Sequence, residues 1–442
     1  MIAANRPIQR PRDARLLVVL ADGRISHAPR SRLVEFLHPG DLVIANDAAT
    51  LPASLHGVHV PTGAEIEVRL AGTLNRSSGV TTNRRSEDQE VSTGRCTIKN
   101  SEFGIKNSWH EFPILNSEFL ISHSVLGLSK QHSPNLLTSC SFSAIVFGAG
   151  DFRTRTEDRP LPPLLAPGDR LVLGPLSATI DALLDHPRLV SLRFSGPPDA
   201  VWAGLARHGR PIQYAHVPTP LALWDVWTPM AAVPAAFEPP SAGFAIDWAM
   251  RGAMRARGIG FASITLAAGL SSTGDPALDR RLPFDEPYQI PEATASAIRR
   301  ARSDGGRIVA VGTTVVRALE HAATAGGIVR PGNGIADQRL GPSSSLRVVD
   351  AILSGTHEPG SSHYQLLRAF LDDDTLAEAS AALDAEGYRT HEFGDSVLIE
   401  ERAPFRTSGK RVPFRASWSA SLSGERSVDP LTPTEHDYAC LA

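Results

Sequence analysis

Arg307-Ile-Val-Ala-Val-Gly-Thr-Thr-Val-Val-Arg-Ala-Leu-Glu-His-Ala-Ala323 decides the fold. The apolar run after Arg307 predicts a short buried strand, Gly312 ends it, and Thr313-Thr314 precedes a helical run from Val315. Upstream, Pro291-Glu292 opens a second helix through Ile298 and Ala301 that stops at Gly305-Gly306. Before it, Ile259 to Leu266 reads as a strand, and Ser241 reads as the cap of a helix that carries Phe244, Trp248 and Ala249 to a left-handed stop at Gly258. Leu346 to Leu353 supplies a further strand downstream. Helix alternating with strand predicts an α/β layer.

The middle of the chain has another rhythm. Gly63 to Leu70 alternates outward and inward residues, Pro167-Gly168-Asp169 is a turn entering Leu171-Val-Leu173, and Ser177 to Leu184 can pair with Arg188 to Phe194 across Asp185-His186-Pro187. That predicts a small antiparallel β module. Strand-like Leu16 to Leu20 and Asp41 to Ala45 lie before it and the α/β run after it, so the module is inserted. The expected fold class is a mixed α/β domain, residues 1–60 and 213–402, with an inserted small antiparallel β-barrel-like domain at 61–212. A cleft between the two is the default ligand site.

The 442 residues, 42% of them hydrophobic, can form more than one core and exclude a wholly disordered chain. Lys+Arg 44 against Asp+Glu 47 gives a net charge of −3, so any RNA contact must be a local patch. No apolar run approaches the ~20 residues that span a bilayer, and Met1-Ile-Ala-Ala-Asn-Arg-Pro lacks a signal-peptide core, so a cytoplasmic protein without membrane contact is expected; the sequence does not give the oligomeric state, a monomer being the expectation. Cys96, Cys140 and Cys440 have no CxxC spacing, which argues against cysteine-based metal or redox chemistry. No metal site is expected.

Three of the four lysines, Lys99, Lys106 and Lys130, lie within residues 73–147, as do six of nine asparagines, and Asn-Ser-Glu-Phe recurs there at 100–103 and 116–119. This composition marks 73–147 as a foreign insertion or a translated repeat with little core to join, a mobile functional loop being the alternative. Residues 403–442 read as a weakly ordered tail.

Three constellations can carry chemistry. Pro39 to Asp47 is a turn feeding an apolar strand that ends in Asn46-Asp47, a place where ligands gather in an α/β sheet, although both residue types also serve turns. Gly312-Thr313-Thr314 offers helix N–H groups and hydroxyls to a carboxylate or phosphate, with Arg317 one turn on; an ordinary cap with a surface arginine is the alternative. Asp350 through Ser362 places His357 beside Glu358 in a glycine-rich loop able to move protons, or simply solvated. No GxGxxG, GxxxxGK[ST], HExxH or GxSxG occurs.

Together these pieces resemble the S-adenosylmethionine:tRNA ribosyltransferase-isomerase family of queuosine synthesis, in order, over most of residues 12–72 and 160–401. The matching segments are Arg15 to Leu20, Pro39 to Asp47, Leu51-Pro52-Ala53, Gly57, Pro167 to Leu171, Pro240-Ser241-Ala242-Gly243, Pro291 to Ala295, Val309 to Arg317, Arg347 to Ala351 and Gly394-Asp395. The resemblance implies an inserted β-barrel and a reaction on tRNA, in which the ribosyl part of S-adenosylmethionine moves to 7-aminomethyl-7-deazaguanine. S-adenosylmethionine is then a substrate, and no cofactor is implied. A placed base can start the rearrangement because the sulfonium acidifies the adjacent C5′ hydrogens. Carried onto this chain, the resemblance makes Asp47, Glu286, His357 and Asp350 the catalytic candidates. Asn46, Ser241, Gly243, Tyr288, Gly312, Thr313, Thr314 and Arg317 become the substrate-binding ones. Arg299, Arg300, Arg302 and Arg307 can meet tRNA phosphate, or form a solvated helix face.

The chain also departs from the family pattern. Ala48-Ala49 stand in place of Thr-Arg, and Phe244-Ala245-Ile246 in place of Leu-His-Phe. Leu266-Ala267-Ala268-Gly269-Leu270-Ser271 replaces Leu-His-Val-Gly-Leu-Gly, Phe284-Asp285-Glu286-Pro287-Tyr288 lacks the histidine before Ser-Glu-Trp-Tyr, and Gly360 replaces a loop lysine. A non-catalytic paralogue that binds nucleotide or RNA on the same scaffold is therefore the alternative to an enzyme.

Overall fold

A computed structural model describes residues 2–6, 13–73 and 140–401. The tail 403–442 and residues 74–139 of the expected insertion lie outside the described residues.

The Arg307 stretch becomes the buried strand Ile308–Val311 and the helix Thr313–Ala322. Ile308–Val311 lies inside a nine-stranded mixed sheet. Its order is Gly332–Ala336, Glu286–Ile290, Gly260–Leu266, Leu42–Asn46, Ile308–Val311, Ala351–Gly355, Ser396–Glu400, Arg15–Val19 and Ile25–Pro29. The four strands from Gly260–Leu266 to Ala351–Gly355 run parallel. Leu42–Asn46 is buried at every position, as expected of a parallel strand covered on both faces. Arg307 fixes the start of this core by bonding the Asp41 carboxylate and the Phe36 carbonyl and pairing with Glu400.

The inserted module is a closed six-stranded barrel, ordered Leu176–His186, Leu189–Phe194, Ser141–Phe147, Ala64–Thr73, Ser54–His59 and Arg170–Leu173. Gly168, at φ +94, makes the expected turn with Asp169, and the expected hairpin forms between Leu176–His186 and Leu189–Phe194, turning at Pro187-Arg188 rather than across Asp185-His186-Pro187. One hydrophobic core runs through both parts, joining Leu55, Val68 and Phe142 of the barrel to Ile44, Leu266 and Ile308 of the sheet.

Several boundaries differ from the expectation. Ser54–His59 belongs to the barrel, because it pairs with Ala64–Thr73 and Arg170–Leu173. Residues 141–147 are a barrel strand rather than inserted sequence, and Phe142 and Phe147 are fully buried. The strand expected from Leu346 begins only at Ala351, because the Glu320 carboxylate accepts the N–H groups of Arg347, Val348 and Val349 and keeps them off a ladder. The helix expected from Ser241 is two pieces, a 3₁₀ turn Ser241–Ala245 and a helix Trp248–Ala256. Asp247, not Ser241, caps the latter, accepting from Met250 N at 2.7 Å. Gly258, at φ +72, ends it as read.

Inside the barrel Glu67 accepts from Ser54 Oγ at 2.7 Å and Arg69 Nε at 2.8 Å and pairs with Arg159. Burial pushes this carboxyl up, but the two guanidinium groups and the hydroxyl overcome it and hold the group at about 2, against an ordinary 4.5. Its pKa is depressed in the folded state, so the stabilisation is complete above about pH 4.5 and is lost as pH falls toward 2. That loss is roughly 3 kcal/mol. Urea unfolding across this window should show it in the native chain. Glu67→Gln should flatten the acid limb while lowering stability at pH 7, and an unchanged limb would refute the assignment.

Candidate functional site

A cleft opens where the parallel strands Ile308–Val311 and Ala351–Gly355 end. This is the crevice beyond the carboxyl ends of the strands in which α/β sheets hold ligands. Its walls are the segment Glu238 to Ala242, the loop Ala268 to Ser271, Glu286, the turn Val311 to Thr314, Ser354-Gly355 and the pair His357 and His363.

Gly312 sits at φ +95, a conformation that favours glycine, and turns the strand straight into the helix. No side chain caps that helix, so its first N–H groups and the positive end of its dipole stand at the cleft wall. Thr313 and Thr314 line the cleft with it.

Arg317, one turn into the helix, is buried. Its guanidinium pairs with Glu286 and donates to the carbonyls of Gln338 at 3.1 Å, Phe284 at 3.2 Å and Ala336 at 2.8 Å. With those donors engaged, Arg317 does not offer the open two-pronged grip on an anion that the sequence suggested. It positions Glu286 instead. Burial raises the Glu286 carboxyl above its ordinary range, and Arg317 and Gly269 N–H work against that rise.

Glu238 was missed in the sequence, although it stands just before Pro239-Pro240-Ser241. Its carboxylate accepts from the Tyr214 hydroxyl and from Ser271 N at 3.0 Å. Burial raises it to about 7, with the Glu392 charge pushing the same way and the two hydrogen bonds opposing. A carboxyl with that pKa exchanges its proton at physiological pH.

His357 lines the cleft as expected, but it stacks on His363 at 4.3 Å and its Nε2 lies 3.3 Å from Ser354 Oγ, so it is not a freely solvated loop residue. Burial holds His357 well below its ordinary pKa and lowers His363 to about 4, so both rings are neutral near pH 7. Beside them, Tyr214, His216 and His391 form a stack, with centroids 6.2 Å and 4.3 Å apart, and His216 Nε2 lies 2.8 Å from Glu392 Oε2.

Ser241, Glu286, Gly312, Thr313, Thr314, Arg317 and His357 thus come together, and the other candidates do not line the cleft. Asp350 accepts from Ile308 N at 2.8 Å, at the starting ends of the parallel strands and therefore at the edge of the sheet away from the cleft. Asn46 splices two strands by bonding Leu266 N, Leu266 O and Ala48 N. Asp47 is held by the Ser263 and Thr265 hydroxyls, both at 2.7 Å, and burial raises its pKa. Tyr288 bonds His321 Nδ1 at 2.9 Å, near the far end of the Thr313–Ala322 helix. Gly243 packs against Thr228. Among the arginines considered for phosphate, Arg299 pairs with Glu292, Arg302 donates to the Gly327 and Arg347 carbonyls, and Arg307 is locked to Asp41 and Glu400.

These observations define a mixed α/β protein with an inserted closed barrel and a cleft at its strand ends that Glu238 and Glu286 line. The chain belongs to the family described as queuosine biosynthesis protein, whose pattern matches residues 1–122 and 159–399. An S-adenosylmethionine:tRNA ribosyltransferase-isomerase of Sorangium cellulosum is 31% identical over 90% of this chain and 95% of its own. One of Thermus thermophilus is 30% identical over 88% and 93%. The crystal structure of S-adenosylmethionine tRNA ribosyltransferase from Thermotoga maritima aligns with a TM-score of 0.42 at 22% identity, over 90% of this chain and 96% of that one.

Arg317→Met should leave Glu286 buried without its partner and cost about 3–5 kcal/mol in urea unfolding at pH 7. Adding Glu286→Gln should recover most of that loss. Equal stabilities of the single and double variants would show that the pair does not hold the cleft.

Proposed function

We propose that the chain is an S-adenosylmethionine:tRNA ribosyltransferase-isomerase of queuosine biosynthesis, moving the ribosyl portion of S-adenosylmethionine onto 7-aminomethyl-7-deazaguanine at the wobble position of tRNA. Family membership supports the reaction class. The observation that carries the mechanism is Glu238, poised at about 7 in the same cleft as an uncapped helix start and the Glu286 carboxylate.

The sulfonium withdraws electrons from C5′, so the Glu238 carboxylate can remove a C5′ proton and leave the electron pair beside the positive sulfur. That pair can open the C4′–O4′ bond to a vinyl sulfonium while O4′ becomes the C1′ carbonyl and adenine leaves with its glycosidic pair and takes up a proton. The acceptor amine then adds at C4′ and loses a proton, the regenerated C5′ anion closes onto C1′, and the resulting oxyanion displaces methionine from C5′ to give the epoxide. Glu286, fixed by Arg317, gives the sulfonium a countercharge that need not reorganise, and the N–H groups at Thr313 and Thr314 suit the methionine carboxylate. On this reading S-adenosylmethionine is consumed as a substrate, and a tRNA acceptor fits work in the cytoplasm. Among the described residues no helix is long and apolar enough to cross a membrane.

Incubation with S-adenosylmethionine and tRNA bearing the deazaguanine, followed by nucleoside mass spectrometry, should reveal epoxyqueuosine. As a base, Glu238 must be ionised, so kcat/KM should rise with pH through about 7. Glu238→Gln should lower kcat by about 10²–10⁴-fold and abolish that limb. Adenine release without a tRNA adduct would point to another acceptor, and donor binding without any reaction would establish the non-catalytic paralogue.

A further inference from the structure

We propose that His216, His391 and Glu392 form a binding site for one zinc-class divalent cation beside the cleft. One ligand atom from each residue lies within 4.8 Å of the other two. His216 Nε2 and Glu392 Oε2 are already 2.8 Å apart, and the two imidazoles stack at 4.3 Å with only 17° between their planes. A cation at ligand distances of about 2.0–2.2 Å needs its donors roughly 3–4 Å apart and must lie in the plane of each imidazole, so binding swings the two rings out of their stack to converge on the ion.

The donors choose the ion. Two imidazole nitrogens and one carboxylate oxygen suit Zn²⁺ and its neighbours, whereas Mg²⁺ and Ca²⁺ prefer all-oxygen shells. Three protein ligands leave a fourth tetrahedral position for water or an incoming group. His216 and Glu392 keep 16% and 21% of their side-chain surface exposed, which leaves a path of entry.

The backbone supports this arrangement. His391 sits at φ +69, uncommon for a residue with a Cβ, and that turn lays its ring against His216. The loop is tied down beside the cleft by Thr356 N–H donating to Asp395 O at 3.3 Å and Thr356 Oγ1 donating to Arg389 O at 2.6 Å. On its other face His216 stacks on Tyr214, whose hydroxyl donates to Glu238. A bound cation would therefore sit one aromatic ring away from the carboxyl proposed as the base. The site stands on its own donors and does not depend on the transferase assignment.

The test uses the full chain, stripped with a chelator and titrated calorimetrically with ZnCl₂, with MgCl₂ as the comparison. One Zn²⁺ per chain should bind and Mg²⁺ should not. His391→Ala and Glu392→Gln should each weaken Zn²⁺ by about 10-fold or more. Both variants should melt like the native chain in chelator, and Zn²⁺ should raise the melting temperature of the native chain only. Should either variant fail to fold, His216→Asn carries the same test. Co²⁺ in the native chain should give the intense visible absorption of a tetrahedral site, absent in the variants. Absence of Zn²⁺ binding, or binding that survives these substitutions and is lost instead in His357→Ala, would overturn the proposal.

Discussion

The pairing of Arg317 with Glu286 holds the cleft in shape. The arginine belongs to the helix after the central strand and the glutamate to a strand near the sheet edge, and the same guanidinium gathers the carbonyls of Phe284, Ala336 and Gln338. One side chain thus locks a helix, an edge strand and two connections. Both charges are buried, so each is tolerable only while the other is in place. The start of the helix therefore cannot drift away from the loop Ala268 to Ser271, which Glu286 also touches through Gly269 N–H.

The cleft then holds two carboxyls with opposite assignments. Glu286 faces a permanent cation that favours its charged form. Glu238 has only neutral donors, Tyr214 and Ser271 N–H, and lies within the field of another carboxylate, Glu392. Burial acts on both, but only Glu286 has a guanidinium to oppose it. Two carboxyls in surroundings this different suit the proposed division between fixed countercharge and proton carrier.

Much of the scaffold was legible in the sequence because its signals are local. The strand Ile308–Val311, the Gly312 turn, the helix from Glu292 and the barrel hairpin each depend on neighbouring residues. The misread stretches depended on distant partners instead. Residues 346–349 have strand composition, yet a carboxylate from the Thr313–Ala322 helix captures their N–H groups. The candidate site was legible where it lies on matching segments, as at Gly312 to Thr314 and Glu286. Asp350 immediately precedes the strand Ala351–Gly355, whose other end reaches the cleft, a distinction no spacing rule contains. Glu238 and the stack from Tyr214 to His391 escaped notice because each acquires its character from residues far away along the chain.

The departures from the family pattern look different once their surroundings are known. Ala48 and Ala49 lie buried in a short parallel ladder against Val233–Ala236, Ala245 packs in the core with Leu16 and Val43, and Ala267 and Ala268 are buried next to the cleft. Each of these alanines is buried, and of them only Ala268 lines the cleft. The imidazoles that line it, His357 and His363, and the pair beside it, His216 and His391, come from other segments. Proton-carrying and ligand-binding groups have thus not vanished from this chain. They stand on other segments, and for this reason the loss of family histidines does not by itself imply loss of chemistry.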